Sequence, residues 1–394
     1  MTKPINKAAF LTTEKAYPLE VGEAPYPTPV NDEVIVKAAA IAINPVDWIV
    51  QSTAFIPVPY PWILGRDVAG PVVALGPAAP PSLRLGAPVA GLALGFATKD
   101  PATSAFQTYV KLSPPLIIAP LPPHVSFIDA AVLPLGAATA AAGLFGSDFL
   151  GLRLPPPSPP SPPSPSREAE REKEEVVVVW GASSSVGASA VQLATAAGFA
   201  VLATASPAHF ALARDLGARE VFDYRDENVA DEIVRATEGR RVVGVFDAVG
   251  TGGAVEACVE VAGRVVAAAQ QAGGGDGERM REKKTSIIRV STVRPLPPSL
   301  SSANSDSPLP PGVSCAVVMA TGIRKTAVGP AVFEDFLPKA LADGRYKCAP
   351  RPVVVGEGLG CLQEGIDRLK GGGVSAEKLV VVMPEEEGEG VKQE

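Results

Sequence analysis

Residues 176–198, VVVVWGASSSVGASAVQLATAAG, constrain the fold more than any other part of the chain. Four consecutive valines and a tryptophan form a continuous β-branched and aromatic run, which reads as a strand buried on both faces. The run ends at Gly181, and residues 186–197 follow a helical pattern. Gly181 and Gly187 permit a tight turn and a close backbone approach, and the first N–H groups of the helix have no partner within it. An anionic dinucleotide suits that turn, because a pyrophosphate would meet the positive end of the helix, and Ser183, Ser184 and Ser185 add hydroxyl donors. The letters depart from G-x-G-x-x-G at Ser183 and Val186. The reading therefore rests on the strand before and the helix after, against the plainer alternative of an ordinary strand–turn–helix.

The downstream pattern extends this unit. Residues 201–204 read as a strand, 210–216 as a helix, 221–224 as a strand, 229–237 as a helix and 242–246 as a strand. Residues 255–261 and 264–269 continue the alternation as helix and strand, so a doubly wound parallel sheet covered on both faces is expected. Beyond residue 312 a strand over 315–319, helices over 332–342 and 360–370, and a last strand over 378–382 follow. The second strand ends in Thr204-Ala205-Ser206 with no Asp or Glu to hold a ribose 2′-hydroxyl, which favours NADPH over NADH. Ser206, His209 and Tyr224 are candidates for its 2′-phosphate, although a lone His209 reads equally well as a plain surface histidine.

Residues 7–108 differ, with short apolar runs punctuated by Pro and Gly, and predict a strand-rich, partly barrel-like domain. Residues 129–149 are Ala-rich and predict helix, interrupted at Pro134 and Gly136. Residues 154–166 alternate Pro and Ser and 167–175 are almost wholly charged, the composition of a solvated linker. Residues 270–312 break the alternation again, with only 286–293 strand-like, and are expected to disturb the last strands of the sheet.

With 394 residues, 46% hydrophobic and 20% charged, the chain has material for two folded domains. A net charge of −7 leaves no broad basic surface for nucleic acid. The amino end lacks a signal-peptide pattern and no apolar run reaches the length of a membrane span, so a cytoplasmic protein without membrane contact is expected. Cys258, Cys315, Cys348 and Cys361 lie far apart and predict neither disulfides nor a metal knuckle.

Several segments resemble the zinc-independent medium-chain dehydrogenase/reductases, in particular the fungal trans-acting enoyl reductases that partner polyketide synthases. AINPVDW (42–48), LGRDVAGPVVALG (64–76), AFQTYV (105–110), AAVLPLGAATAAAGLF (130–145), WGASSSVGASAVQLA (180–194) and VFDYRD (221–226) carry the resemblance in the family's order. It implies an α/β protein with a GroES-like β-rich barrel domain over 1–150 and 325–394, a linker or insertion over 151–175, and a Rossmann domain over 176–324. The active site is expected in the cleft between the domains.

The resemblance places Pro45, Val46, Asp47, Trp48, Val249, Gly250, Val374 and Ser375 along the nucleotide, with Gly181, Ser183, Ser184, Ser185, Val186, Gly187, Ser206, His209 and Tyr224. Leu135, Gly136, Ala137, Ala138, Ala140, Ala141 and Ala142 would face the substrate. Thr139 is the candidate for binding the nicotinamide amide or the substrate carbonyl, set against a helix threonine bonded to its own backbone. Asp47 reads first as a turn or cap residue. Residues 44–47 and Arg66-Asp67 replace the ligands of zinc-dependent relatives, and with two histidines in the chain no metal site is expected. Hydride transfer to an enoyl thioester is implied, with a quinone or enone reductase and a non-catalytic NADPH-binding protein as alternatives, in a monomer or homodimer. A scaffold built on the Pro-rich tract has no use for a phosphate-ready turn. The chain departs from the family at Ile49, where Lys is common, and at the two insertions.

Overall fold

The computed structural model describes residues 4–112, 117–158, 174–272, 287–300 and 309–385. Most of the Pro- and charge-rich linker and part of the 270–312 insertion therefore lie outside the described residues. The chain divides into two compact units, Met1–Leu135 with Arg351–Glu394, and Gly136–Pro350.

The second unit is built on a six-stranded sheet in the order Glu220–Asp223, Ala200–Ala205, Glu175–Trp180, Arg241–Asp247, Ile288–Thr292, Val313–Val317. All neighbours are parallel. Numbered along the chain this is 3-2-1-4-5-6, the order of a dinucleotide-binding sheet. Val176 to Val179 are fully buried, as a central strand covered on both faces requires.

Two sequence expectations are corrected here. Ala254–Ala272 is one helix, with no strand over 264–269. RVVAAA contains no turn residue, and Gly263 lies inside the helix without breaking it, so the alanines carry the helix onward. The last strands are also undisturbed: Ile288–Thr292 and Val313–Val317 pair over five consecutive positions.

In the first unit an eight-stranded sheet places Arg351–Glu357, Glu377–Val382, Ala40–Ala42 and Asp67–Leu75 side by side. Its apolar core includes Ile41, Trp62, Val68, Phe106 and Leu379. The strand Arg351–Glu357 has no counterpart in the sequence reading. Residues 136–150 and 325–350, grouped there with the first domain, pack with the second unit. Gln192 explains part of this, since its Nε2 donates to the Lys347 carbonyl at 3.2 Å and its Oε1 accepts from the Lys347 N–H at 2.7 Å.

Phe127–Phe145 is 19 residues long and apolar enough to pass as a membrane span, which corrects the expectation that no run reaches that length; 78% of its apolar window is buried inside the protein. Within it, the helix Pro134–Phe145 packs so tightly that a Cβ on Gly143 would come 2.2 Å from the buried Phe246 ring. Gly143→Ala should therefore lower stability by about 1–3 kcal/mol despite the better helix propensity of alanine, measured by urea unfolding.

Candidate cofactor and active site

The turn after Glu175–Trp180 is shaped by its two outer glycines. Gly181 has φ +86° and a Cβ there would lie 2.2 Å from Val249 Cγ2; a Cβ on Gly187 would lie 2.0 Å from the Gly181 carbonyl oxygen. Any larger residue at either place would fill the cradle or push the helix Ser185–Ala196 away from the strand. Thr204 fixes the entry to the turn: its Oγ1 accepts from Gly181 N–H at 3.0 Å and its carbonyl from Ala182 N–H at 2.8 Å. Ser184 caps the helix, accepting from Gly187 N–H at 3.0 Å and donating to the Ala248 carbonyl at 3.2 Å. Its hydroxyl is thus engaged within the protein, which changes the role expected of it as a phosphate donor. Ser183, Ser185 and Val186 are half-buried around the same turn.

The other residues expected along the nucleotide follow the carboxyl ends of adjacent strands, so the topology gathers them at one edge. Ser206 follows Ala200–Ala205 and leads into the turn Pro207–His209. Tyr224 follows Glu220–Asp223 and is 46% exposed. Asp223, opposite Ala205 in register, holds Arg225 at 3.1 and 3.2 Å, and this pairing keeps its carboxyl below the usual range. Val249 and Gly250 are set by the buried Asp247, which accepts their N–H groups at 2.9 and 3.0 Å and the Thr292 hydroxyl at 2.7 Å. Sequence reasoning missed Asp247 and Thr204. An acid at a strand end followed by a glycine turn, FDAVG, is the signal for the first.

In the first unit, Pro45, Val46, Asp47 and Trp48 open the helix Pro45–Thr53, and Val374 and Ser375 lie in the loop before Glu377–Val382. That strand pairs with Ala40–Ala42, which leads into Asn44. A buried polar cluster forms there. Asp67 Oδ2 accepts from Asn44 Nδ2 and Lys378 Nζ, each at 2.9 Å, and Asp67 Oδ1 accepts from the Leu135 N–H at 2.7 Å. Lys378 Nζ also donates to Asn44 Oδ1 at 2.6 Å. Asp47 Oδ2 accepts from Asn44 N–H at 2.8 Å and caps the helix. Burial raises the Asp47 carboxyl to about 7, and burial lowers the Arg66 guanidinium next to it.

Thr139 is 8% exposed, whereas Ala137, Ala138, Ala140 and Ala141 are fully buried and Ala142 nearly so at 2%. Gly136 is held against Ser185, its Cβ position 2.7 Å from Ser185 Oγ. Of the stretch expected to face a substrate, only Leu135 is more than marginally exposed. The alanines are there for close packing.

Residues 30–115 match the alcohol dehydrogenase GroES-like domain and residues 185–284 the zinc-binding dehydrogenase family. The dehydrogenase pigH of Monascus ruber is 41% identical over 389 residues, 96% of this chain and 99% of its own length. This chain is a medium-chain dehydrogenase/reductase. The trans-enoyl reductase himH of Aspergillus japonicus is 36% identical over 97% of this chain and 98% of its own. An alcohol dehydrogenase superfamily protein from Novosphingobium aromaticivorans shares the fold, with a TM-score of 0.69 at 21% identity over 96% of this chain and all of its own.

In this medium-chain dehydrogenase/reductase the donor set at Asn44 and Asp67 does not fit a zinc ion. No His or Cys contributes, and the Lys378 ammonium already bridges the two oxygens a cation would use. Among the described residues no group of three His, Cys, Asp or Glu could hold a metal. The cluster also predicts a pH dependence. The folded state holds a proton on Asp47 up to about pH 7, whereas the unfolded chain releases it near 3.8. Stability should therefore fall as pH rises through that window. Asp47→Asn should flatten the fall, as read from urea midpoints between pH 4 and 8.

Proposed function

We propose that this protein is an NADPH-dependent, metal-independent reductase of activated C=C bonds, with an enoyl thioester as substrate and a polyketide synthase as the partner that presents it. The observation that carries the cofactor reading is the two-glycine turn, where added Cβ atoms would lie 2.0 and 2.2 Å from their neighbours, next to a second strand that ends without a carboxylate. The similarity to himH, a trans-enoyl reductase along almost its whole length, supports the substrate and partner.

Gly181 and Gly187 admit the pyrophosphate, the N–H groups of the first turn of Ser185–Ala196 bind it, and Ser206, His209 and Tyr224 take the 2′-phosphate. Val249 and Gly250, held by Asp247, lie along the nucleotide, as do Pro45, Val46, Trp48, Val374 and Ser375. Asp47 serves there as a cap. When bound, the reduced nicotinamide supplies a hydride to the β-carbon, and water supplies the proton to the α-carbon. Thr139 binds the nicotinamide amide or the substrate carbonyl, and Leu135 lies beside the substrate.

The test is NADPH oxidation followed at 340 nm with S-crotonyl-N-acetylcysteamine and, separately, a simple quinone, each repeated with NADH. Turnover of the thioester with NADPH is expected; turnover of the quinone alone would replace the substrate assignment. Ser206→Asp should place a carboxylate against the 2′-phosphate, raise KM for NADPH by about tenfold or more, and leave KM for NADH unchanged or lower.

A further inference from the structure

Five buried side-chain polar atoms in the described residues have no hydrogen-bond partner, and three of them belong to one neighbourhood of the first unit: Asp47 Oδ1, Trp62 Nε1 and Arg66 Nε. Buried polar atoms are normally satisfied, so such a grouping needs a cause. Trp62 stacks on Phe96 at 6.3 Å and 13°, and the Arg66 guanidinium lies over the other neighbour of that stack, 5.4 Å from the Phe96 centroid. Arg66 is 7% exposed, and among the described residues its guanidinium makes no hydrogen bond at all. A largely buried cation whose Nε has no acceptor is costly unless something arrives to accept from it.

The local charges show what that something is. Asp67 lies close enough to act on the Arg66 charge but makes no hydrogen bond to it: its oxygens accept from Asn44, Lys378 and the Leu135 N–H. Asp47 has one oxygen committed to Asn44 N–H and forms no ion pair with Arg66. Burial raises the Asp47 carboxyl to about 7. The cluster therefore presents a desolvated, planar donor beside the segment 44–48, at the residue that precedes the strand Asp67–Leu75.

We propose that the Arg66 guanidinium donates to the substrate's carbonyl oxygen, alone or beside Thr139, and holds the negative charge that grows on it as the double bond is reduced. This rests on the reductase reading above and assigns the electrophilic group that a metal-free site needs. Guanidinium donors in a water-poor setting stabilise an oxyanion more than a ground-state carbonyl, which is the condition for lowering a barrier. The Phe96 face backs the planar group on one side and the Asp67–Lys378 pair keeps the neighbouring backbone in place.

The test uses the full chain and two probes. Crotonate, a carboxylate of the substrate's shape, is titrated calorimetrically against the protein and against Arg66→Met. S-crotonyl-N-acetylcysteamine is followed in NADPH oxidation. The variant should bind crotonate at least tenfold more weakly and lose at least thirtyfold in kcat/KM for the thioester, while its Kd for NADPH stays within twofold. If crotonate affinity and thioester kcat/KM both match the wild type, the assignment is overturned. Should the methionine variant not fold, Arg66→Gln, similar in length and uncharged, carries the same comparison. If the wild type turns over no enoyl substrate, the reductase reading fails on its own; loss of crotonate binding on Arg66 substitution then still supports the oxyanion subsite, and unchanged binding overturns it.

Discussion

A carboxylate with no surface exposure survives folding only if its oxygens and its charge are both answered, and at Asp67 the answer comes from three separate parts of the chain. Asn44 supplies an amide, Leu135 a backbone N–H and Lys378 an ammonium. Lys378 is itself only 4% exposed, so each charge is tolerable only because of the other. Removing the cation would strand a buried anion, a loss on the order of 3–5 kcal/mol. The residues from Arg351 to Glu394 thus return to the first unit for an electrostatic reason as well as for strand pairing. The same ammonium accounts for the chemistry of the cluster, since it occupies the oxygens that would otherwise recruit a metal.

The second unit solves a different problem, that of fixing neutral backbone groups at one edge of a sheet. Its parallel strands all end at one edge, and the loops there are shaped from beneath by side chains that never need to touch a ligand. Thr204 holds the start of the glycine turn and Asp247 holds the Val249–Gly250 loop through its backbone. Asp247 is fully buried and takes a third donor from Thr292 on the next strand, so the loop geometry is coupled to the sheet register. Rigid backbone dipoles aimed at a phosphate suit a water-excluded site because they pay no reorganisation on binding.

Legibility in the sequence followed periodicity and failed where tertiary contacts decide. The βα alternation from Glu175 to Asp247 is readable because each strand carries valine and its turns carry glycine. Residues 264–269 suggest a strand only through Val265 and Val266, and the helix on either side of them settles the matter. The apolar stretch Leu135 to Ala142 points to a ligand by resemblance, yet its alanines are small because the helix packs closely, as Gly143 against Phe246 shows. The Asn44–Asp67–Lys378 cluster joins positions up to 334 residues apart, a pairing no local pattern encodes. Arg66 was visible as a replacement for a metal ligand, but that its guanidinium lacks a partner depends on what surrounds it.

The direction of the parallel sheet also fixes which of its loops share an edge. The amino ends of Glu175–Trp180, Ile288–Thr292 and Val313–Val317 lie at the other edge from the loops described above. The glycine turn, Ser206, Tyr224 and the Val249–Gly250 loop all follow carboxyl ends. In a sheet whose strands run one way, these are opposite edges. Extra length in a connection adds only slowly to the entropy of closing it, roughly 0.6 kcal/mol for each doubling. A connection entering at the amino edge can therefore lengthen at small cost without altering strand register or the loops at the carboxyl edge.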